Sequence, residues 1–251
     1  DVSGRSLERF FDAWVYRPGH PIFKVKVSYD DGLLTVGVKQ TQKAGETAVF
    51  PFELEIEVAD KAGKTRRLKK HVDGANDALV VSCHERPQWV GVDPDYRLVG
   101  ELTVEAPQDL AKNQLESGTT PRLRWLAAQM LARRHDLPSS RALAECLTKA
   151  EEPWMVRAEA AAALGKMRGD HALEALCEAT SEKHPKVRRA VARALGGFQT
   201  LAAARVLERL ALKDPSYLVA AEALRSLGKT RDKRALDVLR ERIDSKSWAD
   251  V

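Results

Sequence analysis

One spacing governs what the C-terminal half of this chain can fold into. The pairs Leu131-Ala132, Leu164-Gly165, Leu195-Gly196 and Leu227-Gly228 recur at steps of 33, 31 and 32 residues. Eight positions before each Leu stands an aliphatic residue: Leu123, Val156, Val187 and Val219. The next position carries Arg124, Arg157 and Arg188, with Ala220 breaking the series, and four before each Leu come Ala127, Ala160, Val191 and Ala223. Pro121, Pro153, Pro185 and Pro215 open the units, where the missing N–H of a proline costs a helix nothing, and the glycines suit helix ends. Between these segments run further amphipathic stretches, Ala172–Thr180, Ala202–Leu212 and Ala235–Ile243. A period of this size without strand signals predicts an α-solenoid of stacked helix pairs.

The rest of the chain is of a different kind. Residues 1–107 hold 8 Ala and 22 Val, Ile or Thr; residues 108–251 hold 27 and 14. Alanine favours helices and β-branched residues favour pleated surfaces, so strands precede helices. Charge divides at the same place: 15 basic against 17 acidic residues before residue 108, and 26 against 19 after it. The formal net charge of +5 therefore belongs to the helical part. The expected fold class is α+β in separate domains: an antiparallel β-sandwich over 22–107, followed by the solenoid over 108–251.

Within the first part, Phe23, Val25, Val27 and Tyr29 alternate with Lys24, Lys26 and Ser28. Asp30-Asp31-Gly32 supplies a turn, after which Leu34, Val36 and Val38 resume the alternation. Phe50, Phe52, Leu54, Ile56 and Val58 alternate with Pro51, Glu53, Glu55 and Glu57, giving one apolar and one acidic face. Further turns near Asp60–Gly63 and Asp73–Asp77 bring the expected count to about seven strands. The basic run Lys61, Lys64, Arg66, Arg67, Lys69 and Lys70 crosses one of these hairpins and reads as a solvated face, because no aromatic residues interleave it for base stacking.

Residues 1–21 form a third piece. Leu7, Phe10, Phe11, Trp14 and Val15 lie on one helical face, with Ser3 as the expected cap and Pro18-Gly19-His20-Pro21 as the stop. Phe10, Phe11 and Trp14 are expected to pack on the β-sandwich or to form an association surface. The first residues hold no signal peptide, the chain lacks an initiator Met and reads as cut from something longer, and no apolar run is long enough to span a membrane. Cys83, Cys146 and Cys177 form no CxxC pair and read as buried free thiols, in keeping with a cytoplasmic location.

No catalytic constellation is present. His84-Glu85-Arg86-Pro87-Gln88 begins like an HExxH zinc motif, but the second His is missing and Pro87 would break the required helix. The other histidines stand singly, and no nucleophile elbow, P-loop or dinucleotide motif occurs. Catalytic, cofactor-binding and metal-ligating residues are all expected to be none within this chain.

Two resemblances bear on function. Pro185-Lys186-Val187-Arg188-Arg189-Ala190-Val191-Ala192-Arg193-Ala194-Leu195-Gly196 resembles the short HEAT repeat, Pro-x-Val-Arg-x-x-Ala-x-x-Ala-Leu-Gly. Gly4, Leu7, Phe10, Phe11, Trp14, Gly19 and Pro21 resemble the Gly-x-x-Leu-x-x-Phe-Phe-x-x-Trp helix and Gly-x-Pro turn of the aminopeptidase N-like zinc metallopeptidases. Pro87-Gln88-Trp89-Val90-Gly91-Val92-Asp93-Pro94 is similar to the last strand of that family's sandwich. The resemblance implies that residues 1–21 close a catalytic domain lying upstream, with which this chain would partner. It also implies that zinc belongs to the parent and not to this chain, and that none of the family's catalytic residues maps here.

Three functions are weighed. The chain is the non-catalytic C-terminal region of a zinc aminopeptidase whose solenoid covers and limits the active-site entrance; or a catalytically dead relative serving as an interaction scaffold; or a nucleic-acid-binding solenoid. The last is disfavoured by the modest surplus of charge. On the solenoid, the second helix of each pair is expected to line the concave face, with Glu159, Arg189, Arg193, Glu222 and Arg225 at its solvent positions. Arg189, Arg193 and Arg225 are the candidate contacts for a peptide or acidic protein partner, since a guanidinium clamps a carboxylate with two parallel bonds.

Overall fold

The computed structural model describes residues 4, 6–42, 49–233 and 235–243. The chain forms two compact units, one reaching to Leu123 and one beginning at Arg124.

The first unit opens with a short helix α1 (Glu8–Phe11) continuing as a π-helical segment Asp12–Tyr16. The expected Ser3 cap lies outside the described residues. Seven strands follow among the described residues: β1 (Ile22–Asp30), β2 (Leu33–Gln40), β3 (Phe52–Ala59), β4 (Thr65–Val72), β5 (Asn76–Ser82), β6 (Trp89–Val92) and β7 (Glu101–Glu105). They build a four-stranded sheet ordered β5-β2-β1-β7 and a three-stranded sheet ordered β4-β3-β6. Phe23 of β1 and Phe52 of β3 meet between the sheets, ring centroids 4.5 Å apart. Phe23, Val25, Val27, Leu34, Val36, Leu54 and Ile56 are buried in the core that alternation predicts.

The β1–β2 hairpin turns on Asp31 and Gly32, both at positive φ (44° and 76°), the backbone that a two-residue turn matched to strand twist demands. One pairing departs from the antiparallel expectation. β1 and β7 run parallel, with Val25 opposite Val104. A parallel pair needs a long crossover, and the whole excursion through β2 to β6 supplies it.

Helix α2 (Gln108–Ser117) follows β7 and belongs to the same unit, beyond the change of composition near residue 107. Asn113 Nδ2 donates to the Gln88 carbonyl, and Gln114 Nε2 to the Leu123 carbonyl. Leu123, the first aliphatic of the repeat series, buries against Trp89 and Ala59. A Cβ on Gly91 would fall 2.6 Å from the Leu123 side chain, so glycine is required there for steric reasons.

Helices α3 (Pro121–Leu131), α4 (Leu137–Thr148), α5 (Trp154–Met167), α6 (Asp170–Glu178), α7 (Pro185–Leu195), α8 (Leu201–Lys213), α9 (Tyr217–Leu227) and α10 (Ala235–Ile243) complete the chain, with a 3-10 turn at Ala179–Ser181. In the second unit α5, α7 and α9 pack side by side in one row, and α4, α6, α8 and α10 in another. Val156, Val187 and Val219, with Leu164, Leu195 and Leu227, are buried between them. Thr200 caps α8 by accepting from Ala203 N, and Asp136 caps α4 by accepting from Ser139 N. No helix of the described residues is long and apolar enough to cross a membrane.

Candidate functional site

The repeat arginines are structural. Arg124 Nε donates to Glu152 Oε1 at 2.8 Å, Arg157 Nη2 to Glu182 Oε2, and Arg188 makes a two-pronged pair with Asp214 at 2.7 and 2.9 Å. Each acid sits one to three residues before the proline that opens the next unit, so each pair ties one repeat to its successor. Arg188 also donates through Nη1 to the carbonyls of Glu182 and Lys183. The acids of this ladder, Glu152, Glu182 and Asp214, do not stand out in the sequence. Their only signal is their place in the loop before the recurring proline.

The acidic face of β3 and the basic run of β4 prove to be one feature. The register sets Glu57 opposite Arg67 and Glu55 opposite Lys69. Arg67 pairs with Glu55, Glu57 and Asp95, Lys69 with Glu53, and Lys70 with Asp77. Glu55 and Glu57 are buried while Arg66, Arg67 and Lys69 are exposed, so the basic run is a solvated face, as the sequence suggests, with part of its charge neutralised across the strands. Asp93 accepts from Arg97 N and Leu98 N through Oδ1, fixing the bend after β6, and its burial raises the pKa of its carboxyl.

At the N-terminus, Trp14 behaves as expected of a packed residue. Its ring lies 4.9 Å from that of Phe50, and its indole N–H donates to the Pro51 carbonyl. Phe10 and Phe11 do not join it. They are 49% and 40% exposed, edge to face with each other, and Leu7, Val15 and Tyr16 are exposed with them.

The three candidate arginines of the solenoid converge on one point, Glu222. Arg193 donates to both its oxygens (Nε–Oε1 3.1 Å, Nη2–Oε2 2.8 Å), Arg189 Nε reaches Oε2 at 3.3 Å, and Arg225 Nη1 reaches it at 3.4 Å. Glu222 corrects an expectation: it is no solvent position, its side chain being 2% exposed. It lies between α7 and α9, so that α7 covers it. Glu159, expected at a solvent position, is half-buried. The hydrogen bonds from Arg193 hold the Glu222 carboxyl below the usual carboxylate range, and the same contact raises Arg193.

A short distance between the helices makes this possible. A Cβ on Gly165 would stand 2.8 Å from the Ala194 Cβ, and one on Gly196 would stand 2.8 Å from the Ser226 Cβ. Gly165 and Gly196 thus serve close helix packing. Helix α5 indeed runs past Gly165 to Met167 and is capped by Arg168 in the left-handed conformation.

His84 and Glu85 lie between β5 and β6 beside a cleft of about 620 Å³ lined also by Lys61, Lys64 and Arg66. Among the described residues no group of three or more His, Cys, Asp or Glu is placed to hold a metal ion. All three cysteines are free; burial pushes the Cys146 thiol up to about 12 and raises Cys177 as well.

The family model for HEAT repeats matches residues 109–185 and 173–251, more than half of the chain. The chain belongs to the HEAT-repeat family. No curated protein matches the sequence. Among solved structures, this HEAT-repeat protein is similar to the aminopeptidase A of Legionella pneumophila, solved in complex with aspartic acid. The identity is 13%, the TM-score 0.64, and the match covers 96% of this chain. This chain spans 35% of that protein's length. The CpcE–CpcF complex of phycocyanin lyase from Nostoc sp. PCC7120 matches at 21% identity and TM-score 0.47, over 57% of this chain and 60% of the other. Human deoxyhypusine hydroxylase matches at 15% identity and TM-score 0.31, over 57% and 81%.

Proposed function

We propose that this HEAT-repeat protein is the non-catalytic β-sandwich and solenoid region of a larger zinc-dependent aminopeptidase that removes N-terminal residues from peptides in the cytoplasm. The observation that carries this reading is the likeness to the Legionella aminopeptidase. It covers 96% of this chain, yet occupies only 35% of that protein's length. The exposed face of Leu7, Phe10, Phe11, Val15 and Tyr16 agrees with it, since two phenyl rings on one short helix need an apolar partner to cover them. The upstream catalytic domain is the partner of this reading, and zinc is a cofactor of that domain. The solenoid then covers the active-site entrance and limits which peptides enter, with Arg189, Arg193 and Arg225 on its concave side.

The experiment is metal analysis and peptidase assay of the full-length parent beside this chain alone. The expected result is one tightly held zinc and aminopeptidase activity in the parent, and neither in the isolated 251-residue chain. A parent without zinc or activity would leave the scaffold reading, and stoichiometric zinc in the isolated chain would overturn the assignment of the chemistry to the upstream part.

A further inference from the structure

The guanidinium groups around Glu222 outnumber the carboxylate they hold. Arg189, Arg193 and Arg225 all pair with it, so three positive charges meet one negative charge and, among the described residues, two remain uncompensated. Nothing nearby on the same elements offsets them. Helix α7 carries Lys186, Arg188, Arg189 and Arg193 and no acid, and Glu222 is the sole acid of α9. Asp214 is already taken by Arg188.

The donors are also only partly used. Arg189 bonds through Nε alone, Arg225 through Nη1 alone, and Arg193 through Nε and Nη2. The remaining N–H groups of these three side chains have no acceptor among the described residues, and Arg193 and Arg225 are 61% exposed. The buried carboxylate therefore acts as an anchor. It fixes three forked donor groups in one small patch, which lowers the entropy cost that long cationic side chains ordinarily lose when they bind.

We propose that this α7–α9 patch binds an acidic peptide segment, two neighbouring Asp or Glu side chains filling the guanidinium donors left open around Glu222. It rests on reading this helix row as a contact surface, and not on the identity of the upstream domain. Two net charges at one place match two carboxylates, and the fork of each guanidinium matches the planar carboxylate. A nucleic acid backbone would require a longer basic track. The row does not continue as one: on α5, Arg157 is consumed by Glu182, and the half-buried Glu159 is acidic.

Fluorescently labelled hexaglutamate titrated into the 251-residue chain at low salt tests this, with labelled hexaglutamine and an oligothymidylate as the other two probes. Saturable binding of hexaglutamate alone is expected. It should weaken at least about tenfold in R193Q/R225Q, because each lost charge-assisted bond contributes more than the 1.4 kcal/mol that a tenfold change represents. Arg189 stays to pair with Glu222 in that variant. Arg225→Gln alone removes only the longest contact, so it keeps the test open should the double variant misfold; it should weaken binding and leave the circular dichroism unchanged. Absence of saturable binding, equal affinity in a folded variant, equal binding of hexaglutamine, or tighter binding of the oligothymidylate would each overturn the proposal. None of these outcomes alters the zinc content or peptidase activity that tests the proposed function.

Discussion

A single buried ion pair shows how the repeats are joined. Arg188 engages both oxygens of Asp214 and two carbonyls of the preceding loop, while Asp214 is 3% exposed. Removing the guanidinium strands a desolvated carboxylate, so Arg188→Ala should cost about 3–5 kcal/mol. Replacing both partners by apolar residues of similar size, R188M/D214L, should recover most of that loss, because neither charge is then buried alone. Urea unfolding followed by circular dichroism measures both; a loss below about 1 kcal/mol for the single variant would reduce the ladder to an ordinary surface pair. Arg188 was legible in the sequence as structural because it recurs at a fixed place in the repeat. Glu222 was not, since one helix read alone places it on the polar side. Only the neighbouring α7, brought close by Gly196, covers it.

At the scale of elements, three glycines occupy one slot of the repeat for different reasons. Gly165 and Gly196 stand against Ala194 and Ser226, where a Cβ would come within 2.8 Å, whereas the nearest atoms to a Cβ on Gly228 are 3.7 Å away. Gly196 and Gly228 have helical backbone (φ −62° and −59°), so no conformational strain enters. Gly196→Ala should then destabilise by about 1–3 kcal/mol through overpacking, and Gly228→Ala should be neutral or stabilise by up to about 1 kcal/mol through the unfolded chain. Thermal unfolding of the two variants separates them, and equal shifts would show that the slot is only a helix end. The same comparison marks the reach of pattern reading. Periodicity located the helices and the β1–β2 hairpin, because each is a local pattern of side chains. The parallel β1–β7 pairing and the neutralisation of β4 by β3 depend on which strands become neighbours, and no window of sequence carries that.

For the whole molecule, charge and architecture meet in the second unit. The surplus of basic residues lies after residue 107, and two of those charges are concentrated around Glu222 on the α7–α9 row. Under the proposed aminopeptidase reading, with that row facing the path of substrates, its contacts are remote from the bond being cut and available only to peptides long enough to reach it. Replacing Arg189 and Arg193 together by Ala in the full-length protein should therefore leave turnover of dipeptide-sized substrates unchanged and lower kcat/KM for long acidic peptides. A loss of about tenfold corresponds to roughly 1.4 kcal/mol, within the range of charge-assisted hydrogen bonds. Where the lost contact serves ground state and transition state alike, the change should fall on KM and leave kcat in place. Arg225 remains in that variant to hold Glu222, and far-ultraviolet circular dichroism checks that the helices persist. Equal kcat/KM ratios for long and short peptides in a folded variant would remove the solenoid from substrate recognition and leave it the role of a cover over the entrance.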